Sequence, residues 1–310
     1  MVNTPVLFLI FNRPETTRKV FDEIRRQQPK YLFIAADGPR ANKPADAGLC
    51  ELTRAIATNV DWDCEVKTLF RDQNLGCGAA PASAITWFFD NVDEGIILED
   101  DCIPNTSFFT FCETLLEKYR NTPSVMMICG TSYQPQKLDT ASYYFSSYPH
   151  AWGWATWKRA WANYNFSLSG ETEETRATVV TQSFALQRER QLWVRNFRLI
   201  INGLDAWDYQ WMYWIWKNKG VCVVPWQNMI SNIGFGSHAT HTFDDASSQA
   251  AMKQHTIARI IHPINIAINK QADRYERFNI LIEPSSAFYL KKIKAAANRV
   301  RRILFGNNDQ

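Results

Sequence analysis

Four short apolar runs in the first hundred residues, each closing on a polar or turn signal, constrain the fold more than any other feature. Pro5 to Phe11 ends at Asn12-Arg13-Pro14, and Tyr31 to Ala36 ends at Asp37-Gly38. Val66 to Phe70 ends at Arg71, with Asn74 and Gly76 just beyond, and Ile96 to Leu98 ends in Glu99, Asp100 and Asp101. The last run is β-branched and follows Gly95, the pattern of a buried strand in a parallel sheet. Helix-like segments lie between the runs. The first has Asn12 as N-cap, Glu15 three residues on and Pro14 in its first turn. The second spans roughly 45–59 and the third roughly 79–90. Strands and helices in this rhythm predict an α/β fold, with a mostly parallel central sheet flanked by helices on both faces.

In such a sheet the ligand crevice lies outside the carboxyl ends of the strands. Arg13, Asp37, Arg71, Asp100 and Asp101 all fall at those ends. Three adjacent carboxylates repel one another and are easiest to tolerate beside a divalent cation. Hard oxygen ligands suit Mg²⁺, Mn²⁺ or Ca²⁺. Taken alone, the triplet also reads as a solvated acidic turn before Pro104. With two basic groups in the same crevice, it fits a metal-bound diphosphate.

The chain of 310 residues can bury a large core, and its hydrophobic (46%) and charged (21%) fractions are those of an ordinary globular protein. A net charge of +3 argues against a nucleic-acid binder driven by bulk charge. Seven Cys without a CxxC pair read as buried thiols in a reducing compartment. No run has the apolar length of a bilayer span, and the N-terminal run lacks the basic start and cleavage site of a signal peptide. A cytoplasmic protein is the expectation.

The second half continues with a helix near 107–119 and a strand at Val125 to Cys129, after which the regular alternation stops. Tyr143 to Tyr148 is aromatic and strand-like. The stretch from His150 to Trp157, with Trp161 beyond, packs aromatics around Gly153, either as core or as a platform for a sugar ring. Leu204 to Lys219 reads as a helix, with Trp207, Trp211, Trp214 and Ile215 at spacings of three and four. Asp205 and Asp208 fall in its first turn and could serve as caps or macrodipole partners. Asp208, between Trp207 and Tyr209, is the one expected to face the crevice as a general base.

A strand at Val221 to Val224 precedes a glycine-rich stretch ending in His238 and His241. These histidines could ligate a metal or simply be exposed on a loop. From Tyr289 to Phe305 apolar residues segregate from six Lys and Arg. A basic amphipathic helix of this kind can lie on an anionic membrane, or pack on its own protein or across a dimer.

The order of TPVLFLIFNRPET, FIAADGP, GIILEDDCIPNTSFF, PHAWGWATWKRAW and AWDYQWM resembles the GT-A-fold nucleotide-sugar glycosyltransferases, over roughly residues 4–240. It is similar to the N-acetylglucosaminyltransferase I type and to bacterial sugar transferases of polysaccharide loci. The resemblance implies a metal-dependent hexosyltransferase, moving a sugar from a UDP-sugar such as UDP-GlcNAc to a hydroxyl of a glycan or lipid-linked acceptor, with inversion. It implies that Arg13 contacts the nucleotide, Asp37 the uracil, and Glu99 and Asp100 the sugar and ribose. Asp101 would bind Mn²⁺ or Mg²⁺, Asp208 would be the base, and the loop ending in His238 would fold over the diphosphate. The family has two adjacent acids before its Trp, where this chain has Asp208-Tyr209-Gln210-Trp211.

On this reading residues 1–130 form the nucleotide-sugar half, residues 131–265 the acceptor-binding and catalytic half, and residues 266–310 a C-terminal extension. The extension could touch the inner face of the membrane or support a homodimer. Two other classes compete. A sugar-phosphate nucleotidyltransferase would share the crevice and the acids, but Asn12-Arg13-Pro14 is not a glycine-rich phosphate loop. A non-catalytic, Trp-rich carbohydrate binder would need neither metal nor nucleotide.

Overall fold

A computed structural model of the chain describes residues 2–235 and 249–282. Strands β1 (Val6–Ile10), β2 (Tyr31–Ala36), β3 (Glu65–Phe70) and β4 (Glu94–Glu99) alternate with helices α1 (Pro14–Gln27), α2 (Ala45–Ala57) and α3 (Gly76–Asn91). A short strand β5 (Cys102–Pro104) leads to helix α4 (Thr106–Tyr119), then strands β6 (Val125–Cys129), β7 (Tyr143–Ser146) and β8 (Trp154–Trp157). Helices α5 (Lys158–Trp161), α6 (Glu173–Ser183), α7 (Gln187–Ile201) and α8 (Asp208–Lys217) follow. Strands β9 (Val221–Pro225) and β10 (Ile230–Asn232), helix α9 (Lys270–Glu276) and a π-helical turn, Arg277–Leu281, complete the described chain.

Eight strands form one sheet in the order β3-β2-β1-β4-β8-β6-β9-β7. The first four are parallel. β8 is antiparallel to both β4 and β6, so β6 and its parallel neighbour β9 run with the first four. The edge strand β7 is antiparallel. The expected mostly parallel sheet is therefore present, with one antiparallel strand inserted and another at its edge. β10 pairs with β5 in a separate two-stranded ribbon.

Two apolar layers cover the sheet. One holds Val20, Phe21 and Ile24 of α1 with the phenylalanines of α4. The other holds α3 and the tryptophans of α5, α7 and α8. Trp154, Trp157 and Trp161 are buried core, not an exposed sugar platform, whereas Trp152 is half-buried. Among the described residues no helix is long and apolar enough to cross a membrane.

Local chemistry accounts for the helix starts. Asn105 caps α4 by accepting the Phe108 N–H at 3.1 Å. Pro14 opens α1 as expected, but Asn12 is not its cap. The cap position is Arg13, and the Asn12 amide instead donates to Asp46 at 2.9 Å. α8 starts at Asp208, four residues later than the periodicity suggested, which leaves Asp205 outside it.

Candidate functional site

The chain passes from β1 outward to β2 and β3, then returns to place β4 on the other side of β1. The crevice of a doubly wound sheet opens at such a reversal. Leu9 of β1 pairs with Glu99 of β4, and Ile10 with Ala36 of β2. That register brings the residues just past three strands, Arg13, Asp37 and the acidic triplet, to one edge. Arg71, just past β3, stands on the same edge and donates to Ser83 at 2.7 Å.

Arg13 bridges two members of the triplet. Its guanidinium pairs with Asp100 and donates to Asp101 at 2.9 Å. The Phe11 N–H also reaches Asp100, at 3.4 Å. Both aspartates are buried. Burial raises the Asp100 carboxyl to about 6, with the Arg13 charge opposing and Asp101 adding to the rise. Glu99 keeps some exposed surface. Its carboxyl is also raised, by desolvation and then by Asp101 and Asp100, and the Asp208 charge adds a smaller push. Asp208, half-buried at the first position of α8, thus lies within electrostatic reach of Glu99.

The backbone after β5 and β10 closes over the acids. The Ile233 N–H donates to the Asp101 carbonyl at 2.9 Å. The Asn232 side chain holds the Gly234 N–H at 2.8 Å. A Cβ at Gly234 would stand 2.0 Å from Asp101 Oδ2, so only glycine permits this approach. Of the glycine-rich stretch, Asn232 to Phe235 is described. His238 and His241, with residues 236–248, lie outside the described residues, as does the basic segment 289–305.

A second anion-handling element stands on the same edge. Four successive backbone N–H groups, those of Leu75, Gly76, Cys77 and Gly78, open α3. Asp37 accepts from Leu75 at 3.0 Å and Gly76 at 3.1 Å, and also from Gly38 and the Asn74 amide. Asp205 accepts from Cys77 at 2.9 Å and Gly78 at 2.7 Å. Burial raises the Asp37 carboxyl, against the pull of these backbone donors and the Arg71 charge. Burial, and then Asp205, push the Cys77 thiol up to about 12, so it stays protonated. Sequence reasoning passed over this Gly76-Cys77-Gly78 turn and preferred Asp208 to Asp205. A GxG opening a helix a few residues after a strand was the available signal.

Glu99, Asp100 and Asp101 offer oxygen donors of the kind a hard divalent cation takes. Among the described residues no three carboxylate, imidazole or thiolate groups are gathered in ligating positions. Arg13 supplies the charge between Asp100 and Asp101.

No protein-family model and no curated protein sequence matches the chain. Solved structures match it at low similarity. The inositol-1-phosphate CTP transferase of T. maritima is 8% identical with a TM-score of 0.38, over 73% of this chain and 86% of that one. The 4-diphosphocytidyl-2C-methyl-D-erythritol synthase of Anaerococcus prevotii is 8% identical with a TM-score of 0.31, over 63% and 84%. A UDP-glucose pyrophosphorylase complexed with UDP-glucose is 13% identical with a TM-score of 0.27, over 47% and 62%.

These comparisons correct the glycosyltransferase expectation, since the named structures are nucleotidyl-transferring enzymes, the class set out as its competitor. No glycine-rich loop follows β1, and the glycine-containing turn before α3 gives its N–H groups to Asp37 and Asp205. The chain has an α/β architecture built around a mostly parallel sheet.

Proposed function

We propose that the chain is a metal-dependent nucleotidyltransferase, joining the nucleoside monophosphate of a nucleoside triphosphate to a phosphorylated sugar or polyol. The observation that carries this reading is the buried Asp100–Asp101 pair bridged by Arg13 at the reversal point of the sheet. A triphosphate brought there meets both of the charges it needs. Arg13 and Arg71 would bind phosphate oxygens, and Asp101, with Asp100, would hold Mg²⁺ or Mn²⁺. The cation would offset charge on the α-phosphate and the departing pyrophosphate. Asp37 and the α3 turn would bound the base-binding side of the crevice.

The attacking group in such a reaction is a phosphate oxygen, already deprotonated at neutral pH. No general base is required, and Asp208 would add negative charge beside Glu99, which would help to hold a cation. Incubation of the full chain with UTP or CTP, a sugar 1-phosphate and Mg²⁺ tests the reading through release of pyrophosphate. Release that depends on both the sugar phosphate and the metal supports it. No release with any of the four common nucleoside triphosphates defeats it. Attachment to an anionic membrane through residues 289–305 is part of the same proposal. Cosedimentation with vesicles at low and high salt, with and without those residues, tests that part.

A further inference from the structure

The acidic crevice ends on one side at a row of three rings. Phe235 meets Trp152 edge-on at 5.7 Å, and Trp152 meets Tyr133 at 6.1 Å. Beyond Tyr133, past the carboxyl ends of β6 and β9, lies a cavity of about 390 Å³. It is bounded by residues 132–137, 226–228, 249–255 and 275–280. It shares no residue with the acidic triplet, and its electrostatics are opposite.

Three aromatic side chains, Tyr133, Trp226 and Tyr275, line it. Trp226 is held in place against Tyr144, with ring centroids 4.3 Å apart. Gln134, Gln136 and Gln227 supply amides. Gln134 is positioned by its bond to the Ala272 carbonyl at 3.1 Å. Asn228 fixes the floor, accepting from the Ser132 N–H at 3.2 Å and donating to the Lys253 carbonyl at 3.1 Å. The basic side chains on the wall are Lys137, Lys253 and His255, and among the described residues no Asp or Glu lines it. Among the described residues neither lysine forms an ion pair, and Lys137 donates to the Thr140 carbonyl at 2.9 Å.

Each feature selects against a class of ligand. Unpaired ammonium groups without a facing carboxylate favour an anion, for which lysine is a common point-charge partner. Amides and ring faces together match alternating hydroxyls and C–H faces rather than a purely apolar ligand. The volume is near the lower end of small-molecule sites, about 300–1,000 Å³, which suits one ring and its substituent rather than a chain. We propose that this cavity is a binding site for a single sugar ring carrying an anionic group, either a phosphate or a carboxylate. The inference does not depend on nucleotidyl transfer, because none of its residues belongs to the acid cluster.

Calorimetry on the full chain, without nucleotide or metal, is the test. The probes are glucose 1-phosphate, N-acetylglucosamine 1-phosphate, glucuronate, glucose and inorganic phosphate. At least one anionic sugar should bind, with glucose and inorganic phosphate each at least tenfold weaker. The two sugar phosphates against glucuronate separate a phosphate requirement from a carboxylate one. Lys137→Glu and Lys253→Glu, both at exposed positions, should each weaken binding about tenfold, the size of one charge-assisted hydrogen bond. Asp101→Ala should leave it unchanged. The proposal is overturned if no anionic sugar binds, if glucose or phosphate alone binds as well, or if both lysine variants bind like the wild type. Loss of binding in Asp101→Ala would move the ligand to the acids and also overturn it. A negative pyrophosphate assay leaves all these outcomes readable.

Discussion

The carboxylate of Asp205 sits on the first turn of α3, accepting the Gly78 N–H at 2.7 Å and the Cys77 N–H at 2.9 Å. The two partners are more than a hundred residues apart in the chain, so this bond pins the segment before α8 to the edge formed by the first four strands. Gly76 and Gly78 permit the approach. A Cβ on either would stand 2.3 Å or 2.5 Å from an Asp205 oxygen, and Gly76 also has φ +86°.

Removing this cap should cost stability. Asp205→Ala leaves two helix-terminal donors to water, and because Asp205 is exposed the expected loss is about 1 kcal/mol. Asp205→Asn, which keeps one acceptor oxygen, should lose less. Urea denaturation of the three proteins measures it, and equal midpoints for all three would show that the bond contributes nothing.

Asp101→Ala should abolish metal-dependent binding of a nucleoside triphosphate while the fold survives. Calorimetry with UTP and Mg²⁺ reads this directly, and EDTA should do to the wild type what the substitution does. The pH dependence has a definite sign. Asp100 holds its proton up to about pH 6 instead of its ordinary 3.8. Its folded value is raised, so protonation competes with cation binding below about pH 6, and affinity should rise as pH increases through that value. A flat profile between pH 5 and 7 would separate Asp100 from the cation.

Gly234→Ala should impair catalysis far more than stability. The added Cβ would be 2.0 Å from Asp101 Oδ2, so the backbone must retreat from the acids. Displacements of about 1 Å at a reacting centre can cost roughly 10²-fold in rate. Pyrophosphate release should fall by that order, with little change in thermal midpoint. Wild-type turnover in this variant would mean that the 232–235 segment does not shape the site.

His150 supplies a pH-sensitive brace on the far side of the same edge. Its Nε2 is 2.7 Å from Glu276, and Nδ1 is 2.9 Å from the Thr131 carbonyl. Burial works against a charged ring, but the Glu276 carboxylate and these hydrogen bonds prevail and raise the imidazole to about 9 from 6.5. Because the folded value is the higher one, the stabilisation is complete below about pH 6.5 and is lost as pH rises through 9. It amounts to at most about 3 kcal/mol. Denaturation midpoints should fall between pH 7 and 9.5 in the wild type and stay level in His150→Gln. A parallel decline in both would remove the pair as its cause.

The local sequence determined much of the first half. Tyr31–Ala36 and Val125–Cys129 are strands with the bounds their apolar runs suggest, and α4 begins one residue from its expected start. Periodicity and turn residues act over a few positions, and parallel topology carries the ends of strands to one edge. Arg13, Asp37, Arg71 and the acidic triplet could therefore be placed there without a structure. Tertiary packing decided what local pattern does not encode. It inserted β8 antiparallel between β4 and β6, buried Trp154 and Trp157 in the sheet, and freed Asn12 from capping to meet Asp46. It also started α8 at Asp208, leaving Asp205 to reach across to α3. These outcomes depend on which distant surfaces bury each other best, an energy spread over contacts between residues a hundred or more positions apart. No short window of sequence contains both partners of such a contact.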